Sequence, residues 1–204
     1  MVSIVIVNWN GKKFLNNCLD SLQKLTYSSV EIIVVDNNST DGSGEFVKKY
    51  YTKVRLIENK KNYGYAGGAS IGCKHARGSY ALFLNNDTIV TPGFIEPLLD
   101  DFRKDPTIGC VESQMRLMKD KSTLDVVGDF ISFTGFLYHY GYRKKANLEK
   151  YNIQKIIFSA KGACSIFPRI LLQKIGLFDE DFFTFFEDTD LCFRVWLSGY
   201  KVIY

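Results

Sequence analysis

The stretch Ala81-Leu82-Phe83-Leu84-Asn85-Asn86-Asp87 (ALFLNND, residues 81–87) decides how this chain is read. Together with Tyr80, its first four residues make a continuous apolar run, the pattern of a strand buried on both faces of a parallel sheet. The run then stops on two amides and a carboxylate. That triplet can be a plain Asn/Asp turn. It can also be a binding element, because ligands in open α/β sheets sit at the carboxyl ends of the strands.

A second strand ends the same way. Glu31 to Val35 (EIIVV) runs into Asp36-Asn37-Asn38 and the turn-rich DNNSTDGS, residues 36–43. If the two strands are parallel, both acidic, Asn-rich turns lie on one edge of the sheet. Carboxylates and amides there suit the donor groups of a base, the hydroxyls of a ribose and a cation bound to a diphosphate. A hard cation such as Mg²⁺ or Mn²⁺ takes oxygen ligands, often one or two carboxylates plus substrate phosphates.

The rest of the chain alternates in the same manner. Val2 to Val7 reads as a strand, and a helical stripe of Phe14, Leu15, Cys18, Leu19, Leu22 and Leu25 follows. A helix through Phe46, Val47 and Tyr50 precedes a strand at 54–57. Residues 58–68 read as a glycine-bearing loop, and about 69–76 as a small-residue helix. Units of this length predict a mostly parallel, doubly wound α/β sheet. Residues 112–158 are rich in aromatic and β-branched residues and predict antiparallel additions. GACSIFP then reads as a strand, ILLQKIG as a short helix, FEDTDLCFRVWLSG as a longer helix and KVIY as a last strand.

The bulk figures bound the function. The 204 residues fit a single domain, 46% hydrophobic and 24% charged. A net charge of +4, with only Arg143, Lys144 and Lys145 clustered, argues against nucleic acid as a partner. No apolar stretch approaches the roughly 18–20 residues of a membrane span. MVSIVIV lacks a basic leader and reads as a strand rather than a signal peptide. Cys18, Cys73, Cys110, Cys164 and Cys192 are odd in number and scattered without a CxxC pair, which fits reduced thiols in a cytoplasmic protein. His75 and His139, the only histidines, read as ordinary surface or satisfied residues. NWNG after the first strand replaces the GxGxxG of a dinucleotide site, and no GxxxxGK[ST] P-loop occurs.

In the helix around 187–197, Asp188 shares a face with Leu191, Cys192 and Val195 at 100° per residue. Glu187, Asp190 and Arg194 cluster on the other side, where Asp190 and Arg194 are an i,i+4 pair that reads as a plain surface salt bridge. Asp188 is then either an acid complementing the helix dipole or an inward carboxylate suited to act as a general base.

With these segments assembled, the chain resembles a family 2 glycosyltransferase of the GT-A fold, most closely the rhamnosyltransferase-like branch. The residues that carry the resemblance are VSIVIVNWNG, VEIIVVDNNSTDGS, NYGYAGGASIG, ALFLNNDTIV, KGACSIFPR and IGLFDEDFFTFFEDTDLCFRVWLSGYKV. The resemblance implies a nucleotide-sugar half at 1–111 and an acceptor and catalytic half at 112–204. It implies that Val7, Asn8 and Trp9 sit beside the nucleotide, that Asp36 pairs with the base, and that Asn38, Asn62, Gly67 and Gly68 line its pocket. The NND triplet takes the place of a DxD motif, with Asn86 near the ribose and Asp87 on the metal. Asp188 becomes the base that deprotonates the acceptor.

The implied partners are a UDP- or dTDP-linked sugar and a glycan or lipid-linked acceptor for surface polysaccharide, with a divalent cation, Mg²⁺ or Mn²⁺, as cofactor. The implied setting is the cytoplasm, with peripheral membrane association left open, as is the oligomeric state. Two departures stand out. Asn85 replaces the first Asp of DxD. In similar proteins a further segment, often carrying a His for the metal, follows the strand matching KVIY, so a truncated chain is expected here. A binding module with a degenerate site and a sugar-phosphate nucleotidyltransferase remain as alternatives, the latter without its glycine-rich Arg/Lys loop.

Overall fold

The computed structural model describes all of residues 1–204. Its centre is one seven-stranded sheet. The first half supplies β1 (Val2–Asn8), β2 (Val30–Asp36), β3 (Arg55–Glu58), β4 (Tyr80–Leu84) and β5 (Ile108–Glu112). Two pairs of short antiparallel strands follow, β6 (Met115–Leu117) with β7 (Asp120–Val126) and β8 (Asp129–Ile131) with β9 (Leu137–His139). The chain then returns to the sheet with β10 (Cys164–Pro168) and β11 (Lys201–Ile203). The strand order is β11-β5-β10-β4-β1-β2-β3.

Helices cover both faces, and the two-residue period of the strands explains how. Ile4, Ile6, Val34, Leu82, Leu84 and Ile166 point to one core cluster. That cluster is closed by α1 (Lys12–Leu22), α2 (Ser43–Tyr50) and α4 (Ile95–Lys104). Val5, Ile33, Val35, Ala81, Phe83 and Phe167 point the other way, under α3 (Gly64–His75), α5 (Arg169–Ile175) and α6 (Glu187–Leu197). Phe83 anchors this second layer, edge-on to Phe178 at 4.7 Å and to Phe167 at 5.9 Å. Fully burying such a side chain contributes roughly 1.5–3 kcal/mol. All five cysteines are buried and free.

Three features depart from the sequence reading. α3 begins at Gly64, not near residue 69. Its glycines have low helix propensity, yet they let the helix lie against the sheet: a Cβ at Gly72 would come within 2.4 Å of Val5 Cγ1, and one at Gly68 within 2.7 Å of Val7 Cγ1. Close packing outweighs propensity here. α4 had no counterpart in the sequence reading, although Ile95, Leu98, Leu99 and Phe102 make a clear buried stripe. Finally, β10 runs antiparallel between β4 and β5, so the antiparallel element reaches the middle of the sheet as well as the 112–158 excursion. β10 and β11 belong to the second half of the sequence but complete the sheet of the first half. No helix is long and apolar enough to cross a membrane.

Candidate nucleotide and acceptor site

β1 lies between β2 and β4, parallel to both, which makes its carboxyl end the topological switch point of the sheet. Three polar residues meet there. Asn8 and Asp36 close β1 and β2 in register, and Asn8 Nδ2 donates to Asp36 Oδ1 at 2.9 Å. On its other side Asn8 Oδ1 accepts from Asn86 Nδ2 at 2.8 Å, beyond the end of β4. Asn8 is fully buried, so it acts as a bridge between the DNN and NND turns.

Asp36 is 5% exposed and heavily engaged. Its Oδ1 also accepts from Ser39 Oγ (2.6 Å), and its Oδ2 accepts from the Ser39 amide (3.0 Å). Ser39 Oγ in turn receives the Asn10 amide at 2.8 Å. Asn37, buried, donates to the Gly64 carbonyl and accepts from Asn59, both at 2.8 Å. Asn38 holds a left-handed φ of 61° at the exposed apex of the turn, a conformation that Asn tolerates well. Trp9 is 57% exposed beside the network, and Val7 packs beneath Gly68.

The glycines around the network hold protein, not open space. A Cβ at Gly11 would lie 2.2 Å from Asn86 Nδ2 and 2.6 Å from Asn8 Oδ1. Gly11 therefore leaves the room in which the Asn8–Asn86 bond forms, a role the sequence reading did not give it. Gly67 and Gly68 are both buried in α3: a Cβ at Gly67 would lie 2.8 Å from Tyr63 Cβ, and one at Gly68 would lie 2.7 Å from Val7 Cγ1 and 3.1 Å from Asn37 Nδ2. Asn62 Oδ1 accepts the Gly64 amide at 2.8 Å and fixes the entry to α3.

Asp87 is exposed at the turn that follows β4. No group of three or more Asp, Glu, His or Cys side chains converges on a metal position. One free carboxylate at a strand end still fits a cation whose remaining ligands are nucleotide phosphates and water.

The second half reaches the same edge through residues 161–163. The Asn85 amide donates to the Ala163 carbonyl at 3.0 Å, just ahead of β10. The next residue back, Gly162, donates its amide to Asp188 Oδ2 at 2.9 Å, while Asp188 Oδ1 accepts from the Thr189 amide at 2.7 Å. Asp188 is half-buried at the first turn of α6. Before it runs Phe182 to Phe186, whose four phenylalanines are 39–76% exposed; Phe183, Phe185 and Phe186 all have positive φ. Left-handed backbone at three bulky residues stores strain of the kind that collects at functional sites.

Glu187 contradicts the sequence reading. The side shared with Asp190 and Arg194 would leave it away from the apolar stripe, yet it is 6% exposed and its Oε2 has no partner. The helical phase explains this, since Glu187 precedes Leu191 by four residues and so joins the stripe Glu187, Leu191, Val195. Burial, reinforced by the Asp188 charge, pushes its carboxyl up to about 7. Arg194 pairs with Asp190 at 2.6 Å, as the i,i+4 spacing indicated. Nearby, Glu112 at the end of β5 is fully buried with both carboxyl oxygens unpartnered, and burial and then Asp129 hold it well above the usual carboxylate range. Asp129 is itself buried and paired at 2.6 Å with His139, so His139 is the satisfied residue expected. His75 bonds the Ile71 carbonyl on the surface.

The family model described as Glycosyl transferase family 2 matches residues 3–176, most of the sheet and the whole strand-end network. The chain belongs to this family. Glycosyltransferase GlyG of Streptococcus pneumoniae is 26% identical over 219 residues, covering 100% of this chain and 67% of that protein. The poly-beta-1,6-N-acetyl-D-glucosamine synthase of Staphylococcus epidermidis is 23% identical, covering 100% of this chain and 47% of the synthase. The chain thus spans about half to two-thirds of the length of these relatives. Among solved structures, GalNAc-T7 with UDP, GalNAc and Mn²⁺ superposes with a TM-score of 0.79 at 20% identity, over 100% of this chain and 42% of that one. The family 2 chain described here therefore has the GT-A fold, a mostly parallel sheet with small antiparallel additions.

Proposed function

We propose that this family 2 protein is an inverting glycosyltransferase that moves a sugar from a UDP- or dTDP-linked donor to a glycan or lipid-linked acceptor in surface polysaccharide synthesis. One observation carries the reading. The Asp36–Asn8–Asn86 network and the half-buried Asp188 stand at the same sheet edge, joined through Asn85, Ala163 and Gly162. Polar groups for a nucleotide at the strand ends, with a basic oxygen at the head of a helix beside them, are what a single-displacement transfer needs.

In this mechanism the base and ribose of the donor lie over Asp36 and Asn86, against the exposed indole of Trp9. The acceptor approaches from the side of Phe182–Phe186 and Asp188. Its hydroxyl oxygen attacks the anomeric carbon, and the bond to the diphosphate breaks with its electron pair going to the phosphate oxygen. Asp188 takes the hydroxyl proton. Asp87 would hold the divalent cation, which supplies positive charge against the leaving diphosphate. Residues 1–111 then serve the donor and 112–204 the acceptor. The relatives' names support a polysaccharide product, and the UDP and Mn²⁺ of the GalNAc-T7 structure support this class of donor and cofactor. The rhamnosyltransferase-like branch rests on the motif resemblance.

A nucleotide-sugar-binding module without turnover is the second reading, favoured by Asn85 in the first acidic place and by a single free carboxylate at the metal position. A thermal-shift panel of UDP-, dTDP- and GDP-sugars, with and without Mn²⁺, followed by assay of released nucleoside diphosphate, separates the two. An enzyme is stabilised by one donor class and releases its diphosphate. A module is stabilised and releases nothing.

A further inference from the structure

Tyr65 lies in the first turn of α3, on the donor side of the site. Its ring stands edge-on to Phe178 at 5.9 Å, and its hydroxyl donates to the Gly162 carbonyl at 2.8 Å. The amide of the same Gly162 donates to Asp188 Oδ2 at 2.9 Å. One glycine thus has its carbonyl fixed by the donor-side helix and its amide spent on the candidate base. Glycine by itself leaves both backbone torsions free. At this position a Cβ would meet Tyr65 Oη at 3.2 Å and Cε1 at 3.3 Å, so the ring occupies the space a side chain would take. Burial, and then the charges of Glu187 and Asp188, hold the phenol well above its usual range, which leaves it a proton donor to the carbonyl.

A second contact ties the same helix start to the segment ahead of Asp188. The Ala66 amide donates to the Phe183 carbonyl at 3.2 Å, and Gly64, at φ 71°, leaves no room for a Cβ against that carbonyl. α3 is therefore locked to both supports of Asp188, the 161–163 strand lead-in and the Phe182–Phe186 approach.

We infer that Tyr65 is a positioning residue for Asp188, acting through Gly162. The inference rests on the reading of Asp188 as the base. It goes further in stating what aims the carboxylate and in linking that aim to the helix that borders the donor. Removing the phenol oxygen frees the Gly162 carbonyl, the glycine torsions relax, and the amide no longer holds Oδ2 in one place. A misaimed base slows proton removal without touching the nucleotide.

The test is a double-mutant cycle of Tyr65→Phe and Asp188→Asn, read by release of nucleoside diphosphate, by UDP affinity and by the Gly162 amide resonance in NMR. Tyr65→Phe keeps the ring on Phe178 and should lower kcat about tenfold, the scale of one buried hydrogen bond. UDP affinity should stay within about twofold, and the Gly162 amide resonance should shift. In the Asp188→Asn background the same change should cost less than about twofold, because groups that act as a unit are non-additive. Should Tyr65→Phe lose its cooperative melting, Gly162→Ala, which presses a methyl group on the phenol, carries the same cycle. Losses that multiply, UDP affinity falling in step with kcat, or an unmoved Gly162 resonance would overturn the inference. Absence of turnover in the unmodified protein would instead count against the transferase reading, and the NMR arm would still decide the coupling.

Discussion

Asn8 and Asp36 end neighbouring parallel strands in register and share a hydrogen bond of 2.9 Å, with both side chains buried. Paired this way, Asp36 closes the fold at the switch point, and in the proposed site it also presents what remains of its carboxylate to the nucleotide. Asp36→Ala should therefore lower the melting temperature as well as nucleotide affinity, since Asn8 Nδ2 and Ser39 Oγ lose a buried acceptor, at about 1–3 kcal/mol for an unsatisfied group. UDP affinity, measured by calorimetry, should fall equally with and without Mn²⁺. A loss confined to the Mn²⁺ condition would move Asp36 from the base to the cation.

Gly11 gives a prediction that involves no ligand-binding side chain. Gly11→Ala places a methyl 2.2 Å from Asn86 Nδ2 and 2.6 Å from Asn8 Oδ1, so their hydrogen bond must open. Both amides then shift, and UDP affinity should drop about tenfold, equivalent to losing one well-placed hydrogen bond. Binding equal to that of the unmodified protein would show that the Asn8–Asn86 bond does not set the nucleotide site.

Asp87 should behave in the opposite way from Asp36. It is exposed, so Asp87→Ala should leave the melting temperature of the unliganded protein within the small range of surface changes. The extra stabilisation that Mn²⁺ gives in the presence of UDP should disappear. Retention of that increment in the variant would take Asp87 out of the metal site.

Glu187 predicts how stability depends on pH. Its carboxyl titrates at about 7 in the fold against an ordinary value of 4.5 in the unfolded chain. Above about pH 4.5 the unfolded chain releases a proton that the fold retains, so stability falls as pH rises, until Glu187 ionises in the fold as well near pH 7. Glu112, also raised, adds the same sign. Glu187→Gln removes this titration, so its melting temperature should gain on that of the unmodified protein from pH 5 to pH 7 and then level off. A gap that is constant or shrinks over that range would mean that Glu187 is solvated.

Much of this was legible in the sequence. The apolar runs ending in Asp36-Asn37-Asn38 and Asn85-Asn86-Asp87 mark two strands of a parallel sheet whose polar ends lie on one edge, because burial on both faces and a polar stop leave little else. The start of α3 was not legible. Glycine's low helix propensity hides the fact that Gly64, Gly68 and Gly72 are there for close approach to strands and to Phe183. The inward side of Glu187 is legible in its four-residue spacing to Leu191, which places it at the edge of the apolar stripe of α6. Ser39, three residues after Asp36, could have been found from Asx-turn spacing. The parts played by Gly11, Tyr65 and Gly162 could not, since each depends on contacts between distant segments: Tyr65 and Gly162 lie 97 residues apart.

The most direct test of the central claim is turnover by Asp188→Asn, with UDP affinity measured on the same sample. Asparagine keeps the shape and can still accept from the Gly162 amide through its carbonyl oxygen, but it has no basic oxygen. Release of nucleoside diphosphate in the presence of acceptor should fall by at least about a hundredfold, the usual cost of losing a general base. UDP affinity should stay within about twofold, because in the proposed site Asp36 and Asn86, not Asp188, hold the donor. Near-normal turnover in this variant would contradict the account, leaving Asp188 as an acid that merely complements the first turn of α6.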